Sequence, residues 1–106
     1  MPGLTLDLPM ERIAKICRTY QVRELSVFGS AVRDDLRDDS DLDMLVLFEP
    51  DAAIGFLELA ALQEALAGLV ARPVDLVSKR GLHRVIRQQI LDDARVIYGA
   101  EETDHF

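Results

Sequence analysis

Two short segments limit the fold and the chemistry of this chain more than any others. The first, residues 27–33, reads VFGSAVR, and the second, residues 41–47, reads DLDMLVL. The second contains an apolar run of strand length, and the first opens with Val27 and Phe28, the apolar end of a predicted strand that stops at a Gly-Ser pair, where a chain turns readily. We therefore predict two strands that are joined by a tight turn and a short helix or loop.

The second predicted strand begins with two acids, Asp41 and Asp43. Because alternate residues of a strand face the same side, these acids share one face, and Leu42, Met44 and Val46 form an apolar face that can pack on a helix. Two carboxylates about 7 Å apart on one strand repel each other unless a positive charge lies between them. Mg²⁺ takes oxygen ligands and often bridges carboxylates to phosphates, so the pair predicts a magnesium site.

Gly29 and Ser30 add a predicted phosphate site. A glycine lets the backbone turn tightly and approach a ligand closely. If Ser30 begins a helix, the free N–H groups and the partial positive charge of that helix end favour a phosphate. A phosphate site beside a metal-binding acid pair indicates a nucleoside triphosphate.

Residues 28–33, FGSAVR, together with residues 40–43, SDLD, resemble the signature of the DNA polymerase β-like nucleotidyltransferase superfamily. The spacing is Gly29-Ser30, ten residues, then Asp-x-Asp. The match is closest to the minimal nucleotidyltransferase (MNT) branch, which includes the MntA-type antitoxins of HEPN/MNT toxin–antitoxin pairs. The resemblance covers about residues 10–99. It implies a palm-like nucleotidyltransferase fold.

The resemblance also implies a reaction, in which AMP is transferred from ATP to a hydroxyl group with release of pyrophosphate. Two Mg²⁺ ions would be held by Asp41 and Asp43, and Gly29 and Ser30 would hold the phosphates. The implied acceptor is a tyrosine of a HEPN-family toxin ribonuclease, which the modification would silence. Two alternatives stay open: an antitoxin that only binds and covers the toxin, and a nucleotidyltransferase that acts on a small molecule.

Two further residues have both a functional and a structural interpretation. Asp75 lies inside the predicted strand 74–78, VDLVS, where a charge is costly without a partner or solvent. The family carries its third acid on such a neighbouring strand, so we expect Asp75 to join the metal ligands; the alternative is an exposed strand residue. Arg33 matches an arginine of the family, and it either helps to hold the phosphates or forms a surface ion pair.

The composition is that of a globular protein. The 106 residues are 49% hydrophobic, enough for a single domain over residues 1–106 with a loose lead-in at 1–8 and a frayed acidic tail at 101–106. No apolar run approaches the roughly 20 residues of a membrane helix, and no secretory signal is evident. Cys17, the single cysteine, suits the reducing cytoplasm. The net charge of −7 argues against direct nucleic-acid binding and is consistent with a basic protein partner.

Hydrophobic periodicity predicts an α/β fold with a small mixed sheet and helices packed on it. Helices are expected at about 9–20, 52–71 and 79–92, with Asp51 and Ser78 as N-caps of the second and third. Strands are expected at 23–28, 41–48, 74–78 and 95–99. The apolar stripe of the second helix is expected to lie in the core. Its members are Phe56, Leu59, Leu62, Leu66, Leu69 and Val70.

Overall fold

The computed structural model of the chain describes residues 8–29, 32, 41–81 and 84–99, without the side chains of 84–87. Within these ranges three α-helices and four strands follow one another, with a 3₁₀ turn after the third strand. In chain order they are α1 (Met10–Thr19), β1 (Val22–Phe28), β2 (Leu42–Phe48), α2 (Phe56–Val70), β3 (Val74–Ser78), the 3₁₀ turn (Lys79–Gly81), α3 (Arg84–Asp93) and β4 (Arg95–Tyr98). No described helix is long and apolar enough to cross a membrane.

The strands form one mixed sheet in the order β3-β2-β1-β4. β1 lies antiparallel to β2 and to β4, and β2 lies parallel to β3. The parallel pair is connected through α2, which runs back along the sheet as such a crossover requires. This arrangement confirms the predicted mixed sheet with packed helices, and it makes β2 an inner strand with partners on both sides.

One face of the sheet packs on α1 and α2 and forms the core. The inner residues of α1 are Ile13 and Cys17, and those of α2 are Leu62 and Leu66; all four are fully buried. Their spacing of four residues puts each pair on one side of its helix. The strands contribute alternate apolar residues to the same cluster, namely Val22, Leu25, Val27, Leu42, Met44, Val46, Val74 and Leu76.

The second helix begins later than the sequence predicts. Residues 52–55 are not helical, and Gly55, not Asp51, occupies the N-cap position of α2. The Gly55 backbone N–H donates to the Glu58 carboxylate at 2.8 Å, and this bond between the cap and the third helical residue defines the start of the helix. The predicted stripe is wrong at its first member, because Phe56 is 81% exposed.

The third predicted helix, 79–92, is also interrupted. Lys79–Gly81 forms a separate 3₁₀ turn, and the α-helix starts at Arg84, so Ser78 ends β3 and does not cap α3. Lys79 donates to the Glu24 carboxylate of β1 at 2.9 Å. This ion pair holds the turn against the sheet, and it explains why Lys79 does not continue a helix toward solvent.

Candidate functional site

Gly29 directly follows β1 and lies beside Asp43. Phe28, the last residue of β1, is the cross-strand partner of Asp43, so the turn at Gly29 passes over the start of β2. Gly29 has a φ of 73°, in the left-handed region that favours glycine. A Cβ at this position would collide with the Asp43 carboxylate. The predicted tight turn is therefore real, and the missing side chain leaves room for this carboxylate.

On the other side of β2, Asp43 pairs in register with Asp75 of β3. The register is set at the start of the pair, where the Leu42 N–H donates to the Pro73 carbonyl at 2.9 Å. Neighbouring strands lie roughly 4.8 Å apart, so residues opposite each other on one face bring their side chains close together. Asp75 is exposed and Asp43 is half-buried. The expectation that Asp75 faces the same side as Asp43 agrees with this register.

Asp41 lies one residue before β2 and is exposed. The strand was expected to begin at Asp41, but its ladder begins at Leu42. Asp41 is thus on a less constrained part of the backbone than the other two acids. Within the described ranges, no three His, Cys, Asp or Glu side chains converge into a cluster that could hold a metal ion. The strand pairing places two of the predicted acids, Asp43 and Asp75, opposite each other, and Asp41 lies two residues before Asp43 outside that pairing.

The remaining predicted site residues, Ser30 and Arg33, lie outside the described residues. Their roles stay predictions. The chain does turn immediately after Gly29, because the Val32 N–H donates to the Gly29 carbonyl at 3.1 Å.

A pocket of about 320 Å³ opens between this turn and α3, and its size is in the range of small-molecule sites. Its walls combine two of the predicted site residues with apolar and polar side chains of α3. The lining residues are Phe28, Gly29, Asp43, Gln89, Ile90 and Asp93. The sequence patterns did not predict the pocket-lining residues of α3, namely Gln89, Ile90 and Asp93. The one available signal was the polar run Gln88-Gln89 within the third predicted helix.

At a greater distance from the pocket, the face of the sheet that carries the acids is shielded from solvent. Ser26 of β1 and Leu45 of β2 are cross-strand partners, and both are almost completely buried. Leu45 follows Asp43 by two residues and therefore shares its face. Solvent thus reaches this face at Asp43 but not at Leu45, so the acids lie at one end of the sheet beside the pocket.

The donor set fits Mg²⁺ rather than a softer metal. Asp41, Asp43 and Asp75 offer carboxylate oxygens, which are hard ligands, and the pocket lining beside them adds an amide and another carboxylate. Asp43 lies where a bound cation would relieve the repulsion between it and Asp75. Gly29 keeps the main chain close to that point.

Comparison with known proteins identifies similar sequences and folds. The family model described as polymerase beta, nucleotidyltransferase, matches residues 11–103. The protein adenylyltransferase MntA of Thermococcus cleftensis is 44% identical over 80 residues, which cover 74% of this chain and 76% of the relative.

Two solved structures share the fold at substantial coverage. A minimal nucleotidyltransferase is 41% identical, with a TM-score of 0.70 over 81% of this chain and 86% of its own. A chain from the crystal structure of a toxin–antitoxin with AMP-PNP is 25% identical, with a TM-score of 0.74 over 92% of this chain and 79% of its own.

Proposed function

Because the chain belongs to the polymerase β nucleotidyltransferase family, we propose that it is a Mg²⁺-dependent antitoxin that transfers AMP from ATP to a toxin protein. The observation that carries the proposal is the position of Asp43, which lies between Gly29 on one side and Asp75 on the other. The turn that we propose to bind phosphates and the pair of carboxylates thus lie together at one end of the sheet. Transfer of a nucleotide requires both groups at one place.

The relatives support the choice of substrate and partner. The Thermococcus protein is named as a protein adenylyltransferase, which makes a protein the acceptor and an adenylyl group the transferred unit. The toxin–antitoxin structure was determined with AMP-PNP, an analogue of ATP. By resemblance to MntA-type antitoxins, the acceptor is a hydroxyl group, and specifically a tyrosine, of a HEPN-family toxin.

In this proposal each site residue has a separate task. Asp41, Asp43 and Asp75 would hold two Mg²⁺ ions, which would supply charge neutralisation at the triphosphate and would lower the pKa of the attacking hydroxyl. Gly29 and Ser30 hold the β- and γ-phosphates through main-chain N–H groups and a hydroxyl. By the family resemblance, Arg33 adds a positive charge at the phosphate end. Asp75, which is exposed, accepts the proton of the acceptor hydroxyl.

The transfer is a single in-line displacement. The deprotonated hydroxyl oxygen of the toxin forms a bond to the α-phosphorus of ATP, while the bond from that phosphorus to the oxygen bridging to the β-phosphate breaks. Pyrophosphate leaves with the electron pair, and the proton of the hydroxyl passes to Asp75. The toxin keeps AMP as a phosphodiester. A residue that contributes only to holding the leaving phosphates, such as Ser30, should matter less than an acid of the strand pair.

The intact mass of the partner toxin, measured after incubation with this protein, ATP and Mg²⁺, tests the proposal. We expect one or more AMP-sized increments with the wild-type chain and none with Asp41→Ala/Asp43→Ala. Glu11→Ala, which removes an exposed acid on α1, serves as the matched control and should transfer normally. If the toxin gains no mass and is still inhibited by the double variant, the chain is a binding antitoxin and the enzymatic proposal is wrong.

A further inference from the structure

The first turn of α2 presents two large apolar side chains to solvent. Phe56 is 81% exposed and Leu57 is 79% exposed, whereas Leu62 and Leu66 of the same helix are fully buried. Exposing two adjacent large apolar groups at a helix start forgoes the free energy of burying them. Contiguous exposed apolar groups of this kind mark contact sites for another protein or a membrane.

Beyond its first turn, the exposed side of α2 carries small residues and one acid, Glu64, which lies seven residues after Leu57. Ala61 and Gly68 are exposed on the turns that follow Leu57, at the helical spacings of 4 and 11 residues. A Cβ at Gly68 would meet no atom of the described residues within 4 Å, so nothing in that part of the chain requires a glycine there. Glycine is less favourable than alanine inside a helix. We call Phe56, Leu57, Ala61 and Gly68 the outer α2 face.

The charged residues of α2 and of the segment before it are of one sign. Residues 49–70 contain four acids and no Lys, Arg or His; the acids are Glu49, Asp51, Glu58 and Glu64. An occupant with an apolar centre and a basic rim is complementary to this surface. A second copy of the chain is not, because it would bring one acidic rim against another.

The outer α2 face and the acids lie on different sides of the sheet, because α2 packs on the face that Val74 and Leu76 of β3 share, and Asp75 alternates with them. α2 lies along β3, the outermost strand, and the Gln63 side-chain oxygen accepts the Leu76 N–H of that strand at 3.0 Å. A partner that lies along this face is therefore beside the β3 edge of the sheet, and it reaches the acids around that edge.

We infer that the outer α2 face is the docking surface for the partner toxin, which contacts it through an apolar patch with a basic rim. The identity of the occupant rests on the proposed function; the surface itself rests on exposure and charge. Docking and AMP transfer then use different residues of the chain. Phe56 and Leu57 fix the toxin in place, and the acids at the end of the sheet modify it.

Binding of the purified toxin, measured by calorimetry without nucleotide, tests the inference. The variant is Phe56→Ser/Leu57→Ser, which removes the apolar groups without adding charge at a helix start that tolerates serine. The matched control is Met10→Ser, a 45% exposed apolar residue in the first turn of α1. We expect the Kd to rise at least tenfold in the double variant and to stay unchanged in the control, with both far-UV spectra as in the wild type.

Two results overturn the inference. One is an unchanged Kd in the folded double variant. The other is a wild-type homodimer that the same substitutions convert to a monomer, because a second copy would then be the occupant. The outcome is separable from the proposed function: Asp41→Ala/Asp43→Ala should bind the toxin as the wild type does without modifying it. Phe56→Ser/Leu57→Ser should still transfer AMP at saturating toxin, with a raised KM for the toxin.

Discussion

The carboxylate of Asp43 occupies the space that a side chain on Gly29 would need. The two residues come from different strands, so the turn that ends β1 and the acid that begins β2 are fitted to each other. The phosphate site and the metal site of the proposed enzyme are therefore one structural unit. A change at either residue displaces the other.

Gly29→Ala is expected to damage both stability and activity. A left-handed backbone costs a residue with a Cβ about 1–2 kcal/mol, and the Asp43 carboxylate must also move. We expect the free energy of unfolding in urea to fall by about that amount and AMP transfer to fall more than tenfold. Gly68→Ala is the control, because its Cβ meets nothing, and it should stabilise α2 by up to about 1 kcal/mol. Equal effects of the two substitutions would contradict this interpretation.

Asp75→Asn should stabilise the fold while it abolishes most activity. Asp43 and Asp75 are like charges at directly opposed positions, an arrangement that lowers the stability by about 0.2–1 kcal/mol. We expect the lower value here, because solvent screens the exposed Asp75. Urea unfolding at low salt and pH 7 should show the gain, and Mg²⁺ or high salt should reduce it. Glu64→Gln changes one exposed charge on α2 and should not reproduce the effect. A loss of stability in Asp75→Asn would show that the pair is not repulsive.

Gln89→Ala should weaken nucleotide binding more than it slows the chemical step. Gln89 lines the pocket beside Asp43, where its amide can donate to and accept from a bound nucleotide. Loss of one hydrogen bond is worth about 0.5–1.5 kcal/mol, or roughly 2- to 10-fold in the KM for ATP. The adjacent Gln88 donates to Asp92 at 2.8 Å instead, so Gln88→Ala is the matched control. Steady-state kinetics that show the same KM for both variants would exclude Gln89 from the nucleotide site.

Stability should fall at alkaline pH because of Cys17. Burial raises the pKa of this thiol to about 12, although the charge of Arg18 acts in the opposite direction. An unfolded chain loses the thiol proton near pH 9, whereas the folded chain keeps it. Because the unfolded state then binds fewer protons, the stability decreases as the pH rises from about 9 to 12. The slope is at most about 1.4 kcal/mol per pH unit.

Urea denaturation of the wild type and of Cys17→Ala across this pH range isolates the effect of the thiol. The difference in unfolding free energy between the two proteins should shrink as the pH rises, since only the wild type carries the thiol. Below pH 8 that difference should be constant. A difference that is independent of pH throughout would mean that the thiol is not protected by the fold.

The strands and the acid pair could be predicted because their signals are local. The alternation of polar and apolar residues predicted the face of β2 on which Asp43 lies. The segment VDLVS predicted β3 with the bounds that the structure shows. The register that brings Asp75 opposite Asp43 could not be read from alternation, since any even shift keeps the same face. The family resemblance implied only that the third acid lies on a neighbouring strand, and hydrogen bonding of Leu42 to Pro73 specifies the register in the structure.

The start of α2 and the role of α3 could not be predicted because they depend on competing or distant contacts. Asp51 is a good N-cap residue, but the bond from Gly55 to Glu58 defines a later start, which turns Phe56 out to solvent. Gln89 lies far along the chain from Asp43. A polar residue on a helix has the same sequence pattern whether it faces bulk water or a pocket.

The bond between Gln63 and Leu76 has a consequence for how molecules of this protein meet one another. β3 is the outermost strand on its side of the sheet, and an unpaired outer strand invites a strand from another molecule to add to it. The Gln63 side-chain oxygen accepts the hydrogen bond of the Leu76 N–H, which a strand from another molecule would otherwise accept. The same bond holds α2 against β3. This contact makes the addition of a further strand at β3 less favourable in the native protein, and loss of α2 packing would expose the Leu76 amide to such an addition.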